Sequence, residues 1–164
     1  MQGILAWWIF WVRGWKIAGR VPVELKKSIF VVAPHTHYLD FFLGLAIRKK
    51  MNMKNVHFLG KKELFWGIFG VILRYLGGFP VERSKNLNQV DQVVSLYNSK
   101  ESFHIALSPE GTRKKVEKLR TGFYHIAKNA NVPIVLVGLD FGNKKVVFGE
   151  PFYTTNDEKA DKQK

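Results

Sequence analysis

Short apolar, β-branched runs alternate with longer apolar or amphipathic segments, and that alternation predicts an α/β fold: a single domain with a largely parallel or mixed central sheet flanked by helices. Three observations carry the prediction. The runs at 28–32, 56–59, 103–107 and 133–138 have strand length and are rich in Ile, Val, Leu and Phe. The stretches between them are long enough for helices. Three of the extended runs close on polar, proline-containing knots, at 33–40, 80–83 and 109–113, and open α/β sheets place their sites at such strand ends. A chain of 164 residues, 46% apolar, suits one domain with a real core.

Taken in order, residues 4–12 are continuously apolar, whereas a spanning helix needs about 20 residues. The segment is therefore expected to lie in a membrane headgroup region, with Trp7, Trp8 and Trp11 at the interface and Arg13, Lys16 and Arg20 toward lipid phosphate. The competing reading is a helix packed on the core. No basic leader or small-residue cleavage site marks it as a signal peptide. The organisation that results is a membrane-surface segment at 1–14, the main domain at 15–154 and a polar tail at 155–164 that frays.

Residues 15–18 suit a short edge strand, and 28–32 a buried strand ending at Pro34. The helix expected after Asp40 is apolar on nearly every side, which requires burial on both faces or contact with lipid or an acyl chain, and Arg48, Lys49 and Lys50 suit its C-terminus. A strand at 56–59 precedes a very apolar helix at about 64–76, whose large residues are too many for one stripe. Gly77 and Gly78 break that helix and start an extended piece. Asn86 and Gln89 resemble a capping box, and Leu87, Val90, Val93, Val94 and Tyr97 keep helical spacing, as do Leu119, Phe123, Ile126, Ala127 and Ala130 further on. Strands at 103–107 and 133–138 and an extended piece at 145–148 complete the set.

Charge and composition narrow the chemistry. Lys and Arg number 26 against 13 Asp and Glu, a formal charge of +13, so the partners sought are anionic: phospholipid surfaces, nucleic acid or phosphorylated small molecules. The absence of cysteine removes disulfides, thiol nucleophiles and thiolate metal sites, and fits a cytosolic protein. No phosphate loop, dinucleotide fingerprint or serine nucleophile elbow occurs.

The knot between the apolar runs 29–32 and 41–47 holds His35 and Asp40, five residues apart across a strand-to-helix bend. A carboxylate there reaches back to the imidazole and fixes its tautomer, which makes a general-base dyad. Two other readings compete. Asp40 serves a helix N-terminus equally well, and His35, His37 and Asp40 together suit zinc in a metal-dependent hydrolase. A non-catalytic basic module that binds lipid or nucleic acid explains the charge but not the dyad.

Four blocks in order resemble the glycerolipid acyltransferase family, the lysophosphatidic acid acyltransferases and their relatives, over residues 15–153: His-x4-Asp at 35–40, Gly-Gly-Phe-Pro-Val-Glu-Arg at 77–83, Pro-Glu-Gly-Thr-Arg at 109–113 and Val-Pro-Ile-Val at 132–135. The resemblance implies that His35 is the base toward an acceptor hydroxyl and that Asp40 orients it. It implies that Arg83 and Arg113 hold an acceptor phosphate, with Glu110, Gly111 and Thr112 completing the cradle. It implies no metal and no cofactor, with acyl-CoA or acyl-ACP (acyl carrier protein) as co-substrate. The lysophospholipid acceptor is most of all 1-acylglycerol-3-phosphate, which would give phosphatidic acid. The further partner is a membrane phospholipid surface, with no nucleic acid, and the place is peripheral, on the cytoplasmic side of a membrane. Pro34, His37, Ser108 and Leu136 stand where many members carry Asn, Ser, Phe and Pro; these departures bear on the acceptor and not on the reaction. The long N-terminal membrane helices of some relatives are replaced here by residues 4–12.

Overall fold

A computed structural model of the chain describes residues 2–34, 39–82, 86–110, 120–155 and 161. Seven strands form one sheet: β1 (Lys16–Ala18), β2 (Lys27–Ala33), β3 (Val56–Lys61), β4 (Gly78–Val81), β5 (Phe103–Leu107), β6 (Ile134–Asp140) and β7 (Lys145–Phe148). Their order is β1-β7-β6-β2-β5-β3-β4, and every neighbouring pair is parallel except the β6–β7 hairpin. The expected α/β architecture is the one observed. Pro80 lies in the outermost strand, where a missing N–H costs no ladder bond.

The helices are α1 (Gln2–Trp7, continued by a π-helical turn Trp8–Val12), α2 (Leu39–Lys50), α3 (Gly67–Tyr75, preceded by a 3₁₀ turn Lys62–Phe65), α4 (Asn86–Ser99) and α5 (Gly122–Ala130). Strand alternation divides them between two layers. Ile29 and Val31 of β2, with Phe103 and Ile105 of β5, face Val93 and Tyr97 of α4 and Ile126 and Ala127 of α5. Phe30 and Val32 point the other way, toward Leu43 and Ala46 of α2 and Ala6 and Ile9 near the N-terminus. On this second face Phe65 sits where side chains at Gly60 and Gly78 would stand, so α3 belongs to the layer of α1 and α2.

Two expectations change. The single helix expected at 64–76 is two pieces, because Trp66 is extended (ψ 149°) and Gly67 adopts φ +57° between them. Its apolar residues are not sheltered: Leu64, Trp66, Ile68, Phe69, Val71, Ile72 and Tyr75 are exposed. The N-terminal segment packs on the core through Ala6 and Ile9, while Ile4, Trp7, Trp8, Trp11 and Val12 face outward. The tail meets the domain at two points, where Tyr124 Oη of α5 donates to Thr155 O at 3.0 Å and to the buried Asp161 carboxylate at 3.2 Å; that carboxylate also accepts from the N–H and hydroxyl of Thr155.

Gly77 ends α3 as its sequence suggests. It has φ +95°, its N–H donates to Arg74 O at 2.9 Å, and an added Cβ would stand 3.2 Å from the Arg48 guanidinium carbon. That guanidinium is itself fixed, donating to Val56 O and Lys54 O at 2.8 and 2.7 Å, so α2 is tied to the start of β3.

Candidate functional site

Four parallel strands carry the candidate residues to one edge of the sheet. Gly78, Phe58, Ala106 and Phe30 stand in register across β4, β3, β5 and β2. Glu82, Lys62, Glu110 and Pro34 each lie four positions past that row, so all four chain exits leave the carboxyl edge at one level. Strands are about 4.8 Å apart, which puts the exits of the adjacent pair β2 and β5 within reach of one small ligand.

The chain parts at that pair. From β2 it passes through α2 on one face to β3; from β5 it passes through α5 on the other face to β6. Adjacent strands whose onward connections diverge to opposite faces leave a crevice at their carboxyl ends, the usual ligand position in an open α/β sheet.

Asp40 stands beside this crevice. It lies in the first turn of α2 and is only 6% exposed. The turn is held by Phe41, whose ring meets Phe58 of β3 edge-on at 5.0 Å, and by Leu43 and Ala46 against Phe30. A carboxylate here is favoured by the positive end of the helix dipole, and its fixed position suits it to orienting a neighbouring base. Pro34 is joined to Ala33 by a cis peptide bond where β2 ends. His35, the expected base, and His37 of the metal reading lie outside the described residues.

The other two knots are partly described. At the end of β4, the Glu82 N–H donates to Gln92 Oε1 of α4 at 3.2 Å, which ties that exit to a helix; Arg83 lies outside the described residues. At the end of β5, the half-buried Glu110 donates its N–H to Ser108 Oγ at 3.3 Å, and Arg120 N–H donates to Pro109 O at 2.7 Å. The connection between β5 and α5 therefore leaves and returns at one point on the edge. Gly111, Thr112 and Arg113 belong to that connection and lie outside the described residues.

Local pattern assigns no role to Lys61, the last residue of β3, or to Lys62 just after it; both are exposed between the exits of β5 and β4. Their signal was their place immediately after a strand-length apolar run. They add positive charge to the edge at which the polar knots begin.

A serine–histidine contact elsewhere has the wrong surroundings for catalysis. Ser28 Oγ lies 2.8 Å from His104 Nδ1, but both are buried in the amino halves of β2 and β5, and Tyr97 Oη caps the pair by donating to Ser28 O at 2.8 Å. Burial, with a smaller contribution from His57, pulls the His104 pKa down to about 4 and keeps it neutral. His57 is also held low by burial; it stacks on Phe103 and lies 3.2 Å from Gly77 O. Among the described residues no three His, Asp or Glu side chains gather to hold a metal ion.

Neither the curated proteins nor the solved structures yielded a match to this chain. A family model described as Acyltransferase matches residues 14–140, a span that runs from β1 to the end of β6 and takes in all three polar knots. The match covers most of the chain and includes the whole carboxyl edge, so the protein belongs to the acyltransferase family.

Proposed function

We propose that this acyltransferase moves a fatty acyl chain from acyl-CoA or acyl-ACP to the hydroxyl of a lysophospholipid, with 1-acylglycerol-3-phosphate as the first acceptor and phosphatidic acid as the product. The observation that carries this reading is the convergence of the exits of β2, β4 and β5 on one edge, with buried Asp40 beside the β2–β5 crevice.

In this reading His35 takes the proton from the acceptor hydroxyl as its oxygen attacks the thioester carbonyl, and Asp40 balances the imidazolium that forms. The tetrahedral adduct collapses, the carbon–sulfur bond breaks, and the leaving thiolate takes the proton back from His35. Oxygen ester and free thiol are the products, with no covalent acyl-enzyme, which suits a chain without cysteine. Arg83 and Arg113 hold the acceptor phosphate through guanidinium forks. Glu110, Gly111 and Thr112 complete the cradle, and Lys61 and Lys62 raise the local positive potential. Attachment to the membrane is peripheral, on the cytoplasmic side.

Incubation with mixed acyl donors and lysophospholipids, followed by mass spectrometry of the products, tests the proposal. Diacylated phospholipid formed in the presence of chelator is the expected result. Hydrolysis without acyl transfer, or activity that chelator abolishes and zinc restores, would refute it.

A further inference from the structure

Helix α3 presents an outer surface that water alone does not account for. Trp66, just before it, is 87% exposed, Ile68 and Phe69 are each 73% exposed, and Val71, Ile72 and Tyr75 are also outside; Gly70 is its one buried residue. Contiguous apolar surface of this kind marks a docking site. The layer matters as much as the helix. Among the described residues, every exposed large apolar side chain except Val23, Phe141, Val147 and Tyr153 belongs to the α1, α2 and α3 layer or its connecting turns, and α4 and α5 on the opposite face contribute none.

Cations rim the patch. Lys61 and Lys62 stand before α3 and Arg74 in its last turn lies over the Phe65 ring, with Glu63 the one carboxylate in that stretch; in the same layer Lys50, at the end of α2, lies over the Phe10 ring of the N-terminal segment. Apolar side chains bordered by cations fit an anionic lipid leaflet. A second copy fits less well, because a two-fold interface would bring these same cations against each other. Nine residues span about 14 Å, half of a hydrocarbon core, so the helix lies in the leaflet and does not cross it.

We propose that α3 is an insertion helix that embeds in the outer acyl region of an anionic phospholipid leaflet and forms with α1 one membrane-facing layer. Because the 3₁₀ turn before α3 starts at the end of β3, this docking sets the carboxyl edge of the sheet at the headgroups. An acceptor could then present its hydroxyl to that edge with its own acyl chain still in the bilayer. The inference rests on the peripheral attachment proposed above and names the element that carries it.

The chain has no cysteine, so a nitroxide can be placed at one site through Phe69→Cys, with Ser95→Cys on the exposed side of α4 as reference. With vesicles of equal parts phosphatidylcholine and phosphatidylglycerol, the label at 69 should lose most of its accessibility to an aqueous nickel relaxant and gain accessibility to oxygen, while the label at 95 stays in water. Combining Ile68→Gln, Phe69→Gln and Ile72→Gln should weaken vesicle binding by about a hundredfold with the melting temperature kept. A label at 69 that remains water-accessible on bound protein would overturn the proposal. So would equal shielding at both sites, undiminished binding by the triple variant, or a concentration-dependent dimer that alone shields residue 69. The label reports insertion without turnover: a chain that inserts but transfers no acyl group refutes only the functional reading, and one that acylates a soluble short-chain acceptor with residue 69 still in water refutes only insertion.

Discussion

Replacing Asp40 by Asn separates a catalytic carboxylate from a helix-stabilising one. The side chain is buried in the first turn of α2 and the amide is nearly isosteric, so packing against the core is kept. The charge–dipole share of the stability loss is about 0.3 to 2 kcal/mol. For a domain of this size that moves the melting temperature by no more than about 8 °C. Turnover should fall far more, by roughly a hundred- to ten-thousandfold, because an amide supports the wrong imidazole tautomer and cannot balance the imidazolium. The assay is release of free thiol from an acyl thioester in the presence of 1-acylglycerol-3-phosphate, read with a thiol reagent; the enzyme, lacking cysteine, gives no background. A folded variant that keeps a large share of wild-type turnover would refute the dyad. Activity lost only in proportion to unfolding would make Asp40 a structural residue.

Other expectations follow from the same edge and core. His35→Ala should cost about a hundred- to ten-thousandfold in turnover while His37→Ala is tolerated, and comparable damage from the two, with metal copurifying, would favour a zinc site. Arg83→Ala or Arg113→Ala should lower efficiency toward the phosphorylated acceptor by about ten- to a hundredfold with less effect on the donor; equal losses for an unphosphorylated acceptor would make the arginines structural. His104, with its folded pKa depressed to about 4, binds fewer protons folded than unfolded, so its contribution of about 3 kcal/mol is present above pH 6.5 and is lost as the pH falls toward 4. Urea titrations across that range should show the decline, and a shallower one in His104→Gln; an unchanged slope in the variant would place the effect elsewhere. Removing residues 1–14 would also take Ala6 and Ile9 out of the core, so the N-terminal anchor is better tested by Trp7→Gln with Trp11→Gln, which lie outside and stack at 6.2 Å. Cosedimentation with phosphatidylglycerol vesicles should fall in that double variant and fall again with salt, and full binding would reject the anchor.

The central strands were legible because they are short apolar runs, and the carboxyl edge was legible because Pro34, Pro80 and Pro109 punctuate it. Strand order was not. Nothing in local periodicity says that β5 inserts between β2 and β3, or that β1 pairs with β7, because neighbours in a sheet are chosen by long-range packing. The value of Lys61 and Lys62 is hidden for the same reason: it depends on β3 lying between β5 and β4. The apolar stretch at 64–76 announced a helix but not its environment, since a segment without period reads alike whether it is buried or exposed. Of the candidate site, Asp40 and Glu110 fall at the edge the sequence indicated, whereas His35, Arg83, Gly111, Thr112 and Arg113 lie outside the described residues.

The two faces of the sheet use the same apolar composition for different ends. Over α4 and α5 the apolar residues keep helical spacing, and Val93, Tyr97, Ile126 and Ala127 are buried against β2 and β5. Over α3 the apolar residues surround the helix and little of them meets the core. Covering Ile68, Phe69, Val71, Ile72 and Tyr75 would be worth about 10 kcal/mol in all, comparable with the whole net stability of an ordinary domain. Folding in water does not collect that energy, so it is left for whatever covers the patch. A leaflet that did so would hold the sheet by one face and leave its carboxyl edge, with Asp40 and the exits of β2, β4 and β5, at the boundary between lipid and water. At that boundary an acceptor's phosphate and hydroxyl are accessible while its acyl chain is not, which is the geometry that transfer to a lysophospholipid requires.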